Sequence, residues 1–182
     1  MNEQQHARGR TILIVDDIAS SRASLSLLLR DDYHVELAED GAKAITVSAS
    51  AHPPDLILMN ANMPVLDGYE VCRRLKANPL TQGIPVVFLL AAHDLEREAR
   101  CFEMGGSDYI IQPFVPVTVR ARVRTQLALK ASATAEAVTI FALTSLAETR
   151  DSDTGNHILR TQNYVKCLAQ RLQANPKFAS LL

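Results

Sequence analysis

Pro54-Asp55-Leu56-Ile57-Leu58-Met59-Asn60-Ala61-Asn62-Met63-Pro64-Val65-Leu66-Asp67-Gly68-Tyr69-Glu70 is the stretch that decides the fold. Leu56 to Met59 form an aliphatic run with no polar alternation, as a parallel strand covered on both faces requires. Asn60 ends that strand, and from Asp67 to residue 77 the chain has the amphipathic pattern of a helix. The same unit recurs on either side. Aliphatic runs at 12–15, 35–38, 86–90 and 109–111 alternate with helical patterns at 20–30, 41–51 and 94–104. Parallel strands need a crossover between them, normally a right-handed helix, so the alternation predicts an α/β fold built on a doubly wound five-stranded parallel sheet. Ligand sites in such sheets lie outside the carboxyl ends of the strands. Asp16, Asp17, Asn60, Leu90 and Gln112, which end four of the five strands, are therefore expected to converge on one pocket.

Composition narrows the function. The 182 residues hold 19 Lys and Arg against 20 Asp and Glu, and a net charge of -1 gives no electrostatic case for nucleic acid or an anionic membrane. The longest apolar stretch, residues 84–92, is far below the roughly 20 residues that cross a bilayer, and the N-terminus lacks the apolar core of a signal peptide. A soluble, cytoplasmic protein is expected. Cys72, Cys101 and Cys167 have no metal-ligand spacing and read as reduced, space-filling thiols. Residues 1–10 are polar and read as a disordered leader. From 117 to 150 there is no Gly or Pro, which predicts one long helix or two nearly in line, with Val119, Val123, Leu127, Ala131, Val138 and Phe141 near three-and-four spacing. Residues 151–156 read as a turn and cap, with a second helix from His157 to about residue 175.

Four blocks in order, Ile12-Leu13-Ile14-Val15-Asp16-Asp17, the stretch from Pro54 to Glu70, Ile84-Pro85-Val86-Val87-Phe88-Leu89, and Gly105-Gly106-Ser107-Asp108-Tyr109-Ile110-Ile111-Gln112-Pro113-Phe114, resemble the successive signatures of bacterial response-regulator receiver domains. The resemblance covers residues 11–125 and implies a flavodoxin-like fold. In that family an aspartate after the third strand takes a phosphoryl group, with Mg²⁺ held by it and by the acidic pair. Here Asn60 stands in its place, Leu90 replaces the family's Ser or Thr, and Gln112 replaces the Lys whose ammonium balances the phosphoryl charge. The resemblance thus implies a degenerate phosphorylation site at Asn60, Leu90 and Gln112, and a weak Mg²⁺ site at most on Asp16 and Asp17. No cofactor is otherwise expected. Tyr109 matches the switch aromatic, and the Gln112-Pro113 bond matches a cis peptide of the family.

Residues 146–161 are similar to the opening of HD-GYP domains, phosphodiesterases that hydrolyse cyclic di-GMP. The resemblance implies that Asp153 and His157 would be metal ligands only in a complete domain. No His-Asp doublet follows His157 within the 182 residues, and two ligands cannot hold a two-metal cluster, so no hydrolase activity is expected of these residues alone. The expected organisation is a leader at 1–10, a receiver at 11–125, a connecting helix at 126–150 and an HD-GYP start at 151–182. The expected function is a regulatory, pseudo-receiver module of two-component and cyclic di-GMP signalling. It would act as a homodimer, with a histidine kinase or another signalling protein as partner and with neither nucleic acid nor membrane. The alternative is a conventional regulator whose phosphoacceptor was mutated to Asn.

Overall fold

The structure, a computed structural model, describes residues 9–91 and 95–150, with side chains to 142 in the last helix, and Asn163. The strands are β1 (Thr11–Val15), β2 (His34–Ala38), β3 (Leu56–Asn60), β4 (Val86–Leu90) and β5 (Asp108–Ile111). The helices are α1 (Ala19–Leu29), α2 (Gly41–Ser48), α3 (Gly68–Ala77), α4 (Leu95–Glu103) and α5 (Pro116–Arg150). All strand pairs are parallel, in the order β2-β1-β3-β4-β5, which is the flavodoxin-like doubly wound order. Contacts divide the chain into two units, Met1–Ala131 and Ser132–Leu182, and the features below belong to the first unless stated.

The aliphatic runs are explained by the two cores. Leu13, Val15, Ile57, Met59, Val86, Phe88 and Leu90 pack on one face of the sheet. Ile12, Ile14, Leu56, Leu58, Val87 and Leu89 pack on the other, and every residue of β3 and β4 is buried. Each such side chain is worth about 1.5–3 kcal/mol relative to exposure, which is why these runs tolerate no polar residue before the strand end. Phe88 anchors the first core with its ring 5.1 Å from that of Tyr69. Cys72 and Cys101 lie in the same core as free thiols, and burial pushes both up to about 11, as space-filling reduced thiols should be. Cys167 lies outside the described residues.

Local chemistry sets the element ends. Asp67 caps α3 by accepting from the Glu70 backbone N–H at 2.7 Å, and the Arg73 and Arg74 guanidiniums hold the Glu70 carboxyl down to about 2. At the end of α4, Gly106 N–H donates to Cys101 O and Gly105 N–H to Phe102 O, both at 2.9 Å, with Gly105 at φ +86°. This is a Schellman motif, and the left-handed position is one that glycine fills without a Cβ penalty. Helix α2 ends at Ser48 rather than at residue 51, because Pro53 and Pro54 impose extended backbone ahead of β3 and the intervening residues serve as connector. Helix α5 is one continuous helix. Its apolar residues divide by role: Val119, Val123 and Leu127 are buried in the second core, whereas Leu129, Val138, Ile140 and Phe141 are exposed.

Between β3 and α3 the chain makes a tight reversal. Leu66 N–H donates to Pro64 O at 2.8 Å across Val65, whose φ is +68° and whose side chain is fully exposed. A three-residue turn with positive φ at a β-branched centre is strained. Val65→Gly should remove about 1–3 kcal/mol of strain against about 0.5–1 kcal/mol of added chain entropy, a net gain of about 1 kcal/mol. Thermal unfolding should register this as a rise of a few degrees, and an unchanged or lowered midpoint would refute it.

Candidate functional site

The carboxyl ends of β1 and β3 bring Asp16, Asp17 and Asn60 into contact, while Leu90 and Gln112, at the ends of the neighbouring β4 and β5, are joined to each other by a backbone hydrogen bond. Asp16 follows β1 and is fully buried, while Asp17 is exposed at the mouth. Asp16 is held on both oxygens: its Oδ1 accepts from Ile18 N–H at 2.9 Å and its Oδ2 from the Ser21 hydroxyl at 2.6 Å. Arg22 donates to the Asp16 carbonyl oxygen, so the first turn of α1 clamps this residue from both sides.

Asn60 closes the arrangement. Its side-chain nitrogen donates to Asp17 Oδ1 at 3.0 Å and to Asp16 Oδ1 at 3.3 Å, bridging the acidic pair. Its oxygen faces away and accepts from Asn62 N–H at 3.2 Å, which fixes the orientation of the amide. Two N–H hydrogens are thus directed at the two carboxylates that the resemblance assigns to a divalent cation. The donor set lacks a third anionic oxygen, and the amide turns its hydrogens rather than its oxygen toward the acids, so these residues do not fit Mg²⁺ as they stand. Among the described residues, no group of three or more His, Cys, Asp or Glu side chains is placed to hold a metal ion.

Leu90 is fully buried and packs in the first core, offering neither a donor nor an acceptor. Gln112 is half-buried, follows β5, and its backbone N–H donates to Leu90 O at 2.8 Å. The Gln112-Pro113 bond is cis, as expected. Behind these residues Gly68 sits against the Asn60 carbonyl, and its N–H donates to Ala61 O at 3.0 Å.

Tyr109 is held by α4. Its hydroxyl donates to Glu98 Oε2 at 2.6 Å, and that hydrogen bond to an anion raises the phenol above its ordinary range. Phe102 meets the ring edge-on with centroids 6.0 Å apart, and the Arg122 guanidinium lies 5.8 Å from the ring centre while donating to Asp108 at 2.6 Å. Sequence reasoning missed Glu98, Ser21 and Arg22. Ser21 carried a signal, a hydroxyl five residues past Asp16 in the first turn of the following helix; Glu98 carried none. Asp153 and His157 lie outside the described residues.

The model for the response regulator receiver domain matches residues 12–124, well over half of the sequence. The chain belongs to the response-regulator receiver family. Among curated relatives, a probable cyclic di-GMP phosphodiesterase of Vibrio cholerae is 39% identical over 94% of this chain, and the response regulator PleD of Caulobacter vibrioides is 40% identical over 62%. The chain spans 44% of the first relative's length and 25% of the second's. Two solved receivers cover 66% of the chain: one from Chloroflexus aurantiacus at 34% identity, with 99% of its length matched and a TM-score of 0.64, and that of a Pseudomonas aeruginosa sensor histidine kinase at 30%, with 98% matched and 0.61. The latter holds a magnesium ion in its active-site cleft. In this receiver the bridging amide of Asn60 faces the acidic pair. No helix among the described residues is long and apolar enough to cross a membrane.

Proposed function

We propose that this chain is a pseudo-receiver: a regulatory module of a cyclic di-GMP signalling protein that takes no phosphoryl group at position 60 and acts through self-association and helix α5 on a phosphodiesterase domain beginning near residue 151. The observation that carries the reading is the Asn60 amide, which donates to both Asp16 and Asp17. A neutral amide nitrogen is not a nucleophile, and the amide turns its hydrogens toward both acids without supplying a third anionic oxygen, so position 60 offers neither the attacking oxygen nor the metal ligand that phosphoryl transfer requires. Leu90 and Gln112 remove the hydroxyl and the ammonium as well. A receiver disarmed by a single Asn substitution would have kept those two, which favours natural degeneracy over the mutated-acceptor alternative.

Without phosphorylation, control must come from a partner or an assembly that distinguishes two states. Exposed Leu95 and Phe102 on α4, with Val115 just before α5 and Val117 in its first turn, offer apolar surface for a second copy, with a histidine kinase or other signalling protein as the competing occupant. The resemblance of residues 146–161 to HD-GYP domains, and the cyclic di-GMP phosphodiesterase named among the relatives, support the output.

Incubation with a small phosphodonor and Mg²⁺, followed by intact-mass measurement, should leave the mass unchanged. A gain of one phosphoryl group would overturn the reading. Light scattering of the same sample should give a dimer.

A further inference from the structure

A second concavity lies at the opposite end of the sheet from Asn60, where α1 runs into β2. The cleft has a volume of about 540 Å³ and is lined by Arg30, Asp31, Tyr33 and His34. It is an open depression of the surface rather than an enclosed cavity, and its volume compares with that of small-molecule sites, roughly 300–1,000 Å³. The charge around it is not that of the chain as a whole. Arg10, Arg120 and Arg124 all lie close enough to act electrostatically on the Tyr33 phenol, and Arg30 is in the lining itself. Arg30 therefore lines the cleft and three further guanidiniums stand about Tyr33, in a protein whose net charge is -1.

Their existing partners leave much of that charge unspent. Arg120 pairs with Asp32 at 3.5 Å, and Arg10 donates to the Leu127 carbonyl oxygen, a neutral acceptor. Among the described residues, Arg30 and Arg124 have no carboxylate partner. His34 stands 3.9 Å from Glu36, and Asp31 is exposed in the lining. Counting Arg10, Arg30, Arg120 and Arg124 against Asp31, Asp32 and Glu36 leaves an excess of one positive charge before any protonation of His34.

We propose that this cleft binds a nucleoside phosphate. A guanidinium fork matches a phosphate in geometry and charge. Tyr33 lines the cleft half-buried and braced against the second core, so the part of it that remains exposed is a rigid aromatic edge for a base, and guanidinium planes stack on bases as well. Asp31 supplies an acceptor for a ribose hydroxyl or a base N–H, a group that a bare phosphate site would not use. The same carboxylate, with Asp32 beside it, disfavours an extended polyanion such as nucleic acid. The site uses no residue of the Asn60 pocket and stands or falls separately from the pseudo-receiver reading.

The test is an amide NMR titration of the 182-residue chain with GMP, AMP, guanosine and inorganic phosphate. GMP or AMP should shift Tyr33 and His34 saturably with Kd at or below about 1 mM, while guanosine and phosphate alone bind at least tenfold more weakly. Arg30→Ala and, independently, Arg124→Ala should each weaken the nucleotide by about tenfold with an unchanged melting temperature, since neither side chain has an ion pair to lose. Phosphate binding as tightly as either nucleotide would reduce the site to an anion patch and overturn the proposal. So would the absence of saturation by both nucleotides, or full affinity retained in both variants.

Discussion

Replacing Asn60 by Asp is expected to make the stability of this receiver depend on a divalent cation. The nitrogen now lies 3.0 Å from Asp17 Oδ1 and 3.3 Å from Asp16 Oδ1. Asn60→Asp turns these two hydrogen bonds into two like-charge contacts, each costing about 5 kcal/mol at 3 Å and an effective dielectric of 20 before side chains relax or a proton is taken up. Asp16 has little room to relax, being fully buried and fastened by Ser21 and Ile18. After relaxation a net loss of about 2–3 kcal/mol at neutral pH is expected in a chelator.

The sign of the pH dependence follows. Repulsion raises the folded-state pKa of the introduced carboxyl above its unfolded value of about 3.9, so the folded state binds the extra proton. The penalty is therefore absent below about pH 4 and grows as pH rises through that folded-state value. Millimolar Mg²⁺ should reverse it, because three carboxylates form the oxygen site that the amide excludes. Thermal melts in chelator and in Mg²⁺ test this: the variant should gain several degrees with Mg²⁺ and the parent almost none. A parent that responds to Mg²⁺ as strongly as the variant would show that the Asn60 amide does not occupy the cation's role. Phosphorylation of the variant should remain slow, since Leu90 and Gln112 still withhold the hydroxyl and the ammonium.

How much of this was legible beforehand depends on the kind of interaction. The strands were readable because β3 and β4 are buried on both faces, and a run such as Leu56 to Met59 fits nowhere else. The placement of Asp16, Asp17, Asn60, Leu90 and Gln112 along one edge of the sheet followed from the parallel strands alone, since all sit at strand ends of one polarity, and of these the structure puts Asp16, Asp17 and Asn60 in contact. The direction of the Asn60 amide did not, because it is set by the Asn62 N–H two residues on, a matter of loop geometry. Glu98 was invisible for a similar reason. It reaches Tyr109 only through the rotation of α4 about its axis, and the helix pattern specifies that to no better than one face. The positive φ of Val65 also went unread, as nothing in a Pro-Val-Leu sequence announces a conformation that valine disfavours. The stripe along α5 did not separate two roles, because three-and-four spacing is the same whether a residue enters the core, as Val123 does, or faces out, as Phe141 does.

The second large effect is expected from a single methyl group placed behind the pocket. A Cβ at Gly68 would fall inside contact distance of the Asn60 carbonyl oxygen and 2.9 Å from Met59 Cγ. The first of these is backbone and cannot rotate away. Moving α3 outward instead would stretch the Gly68 N–H bond to Ala61 O, now 3.0 Å, and disturb the Asp67 cap on Glu70 N–H. Moving Asn60 would displace the amide from Asp16 and Asp17. Every route of relief breaks a hydrogen bond that the pocket uses, so Gly68→Ala should cost about 3 kcal/mol, and the roughly 0.5–1 kcal/mol that alanine saves in chain entropy does not offset it. For a chain of this size the midpoint should fall by about 6–12 °C. Gly83 provides the control, as nothing lies within 4 Å of a Cβ there and its φ is not positive, so Gly83→Ala should melt at or slightly above the parent. Equal midpoints for the two variants would mean that α3 can shift freely against β3, and the amide bridge would then lack the rigid backing that holds it between the two acids.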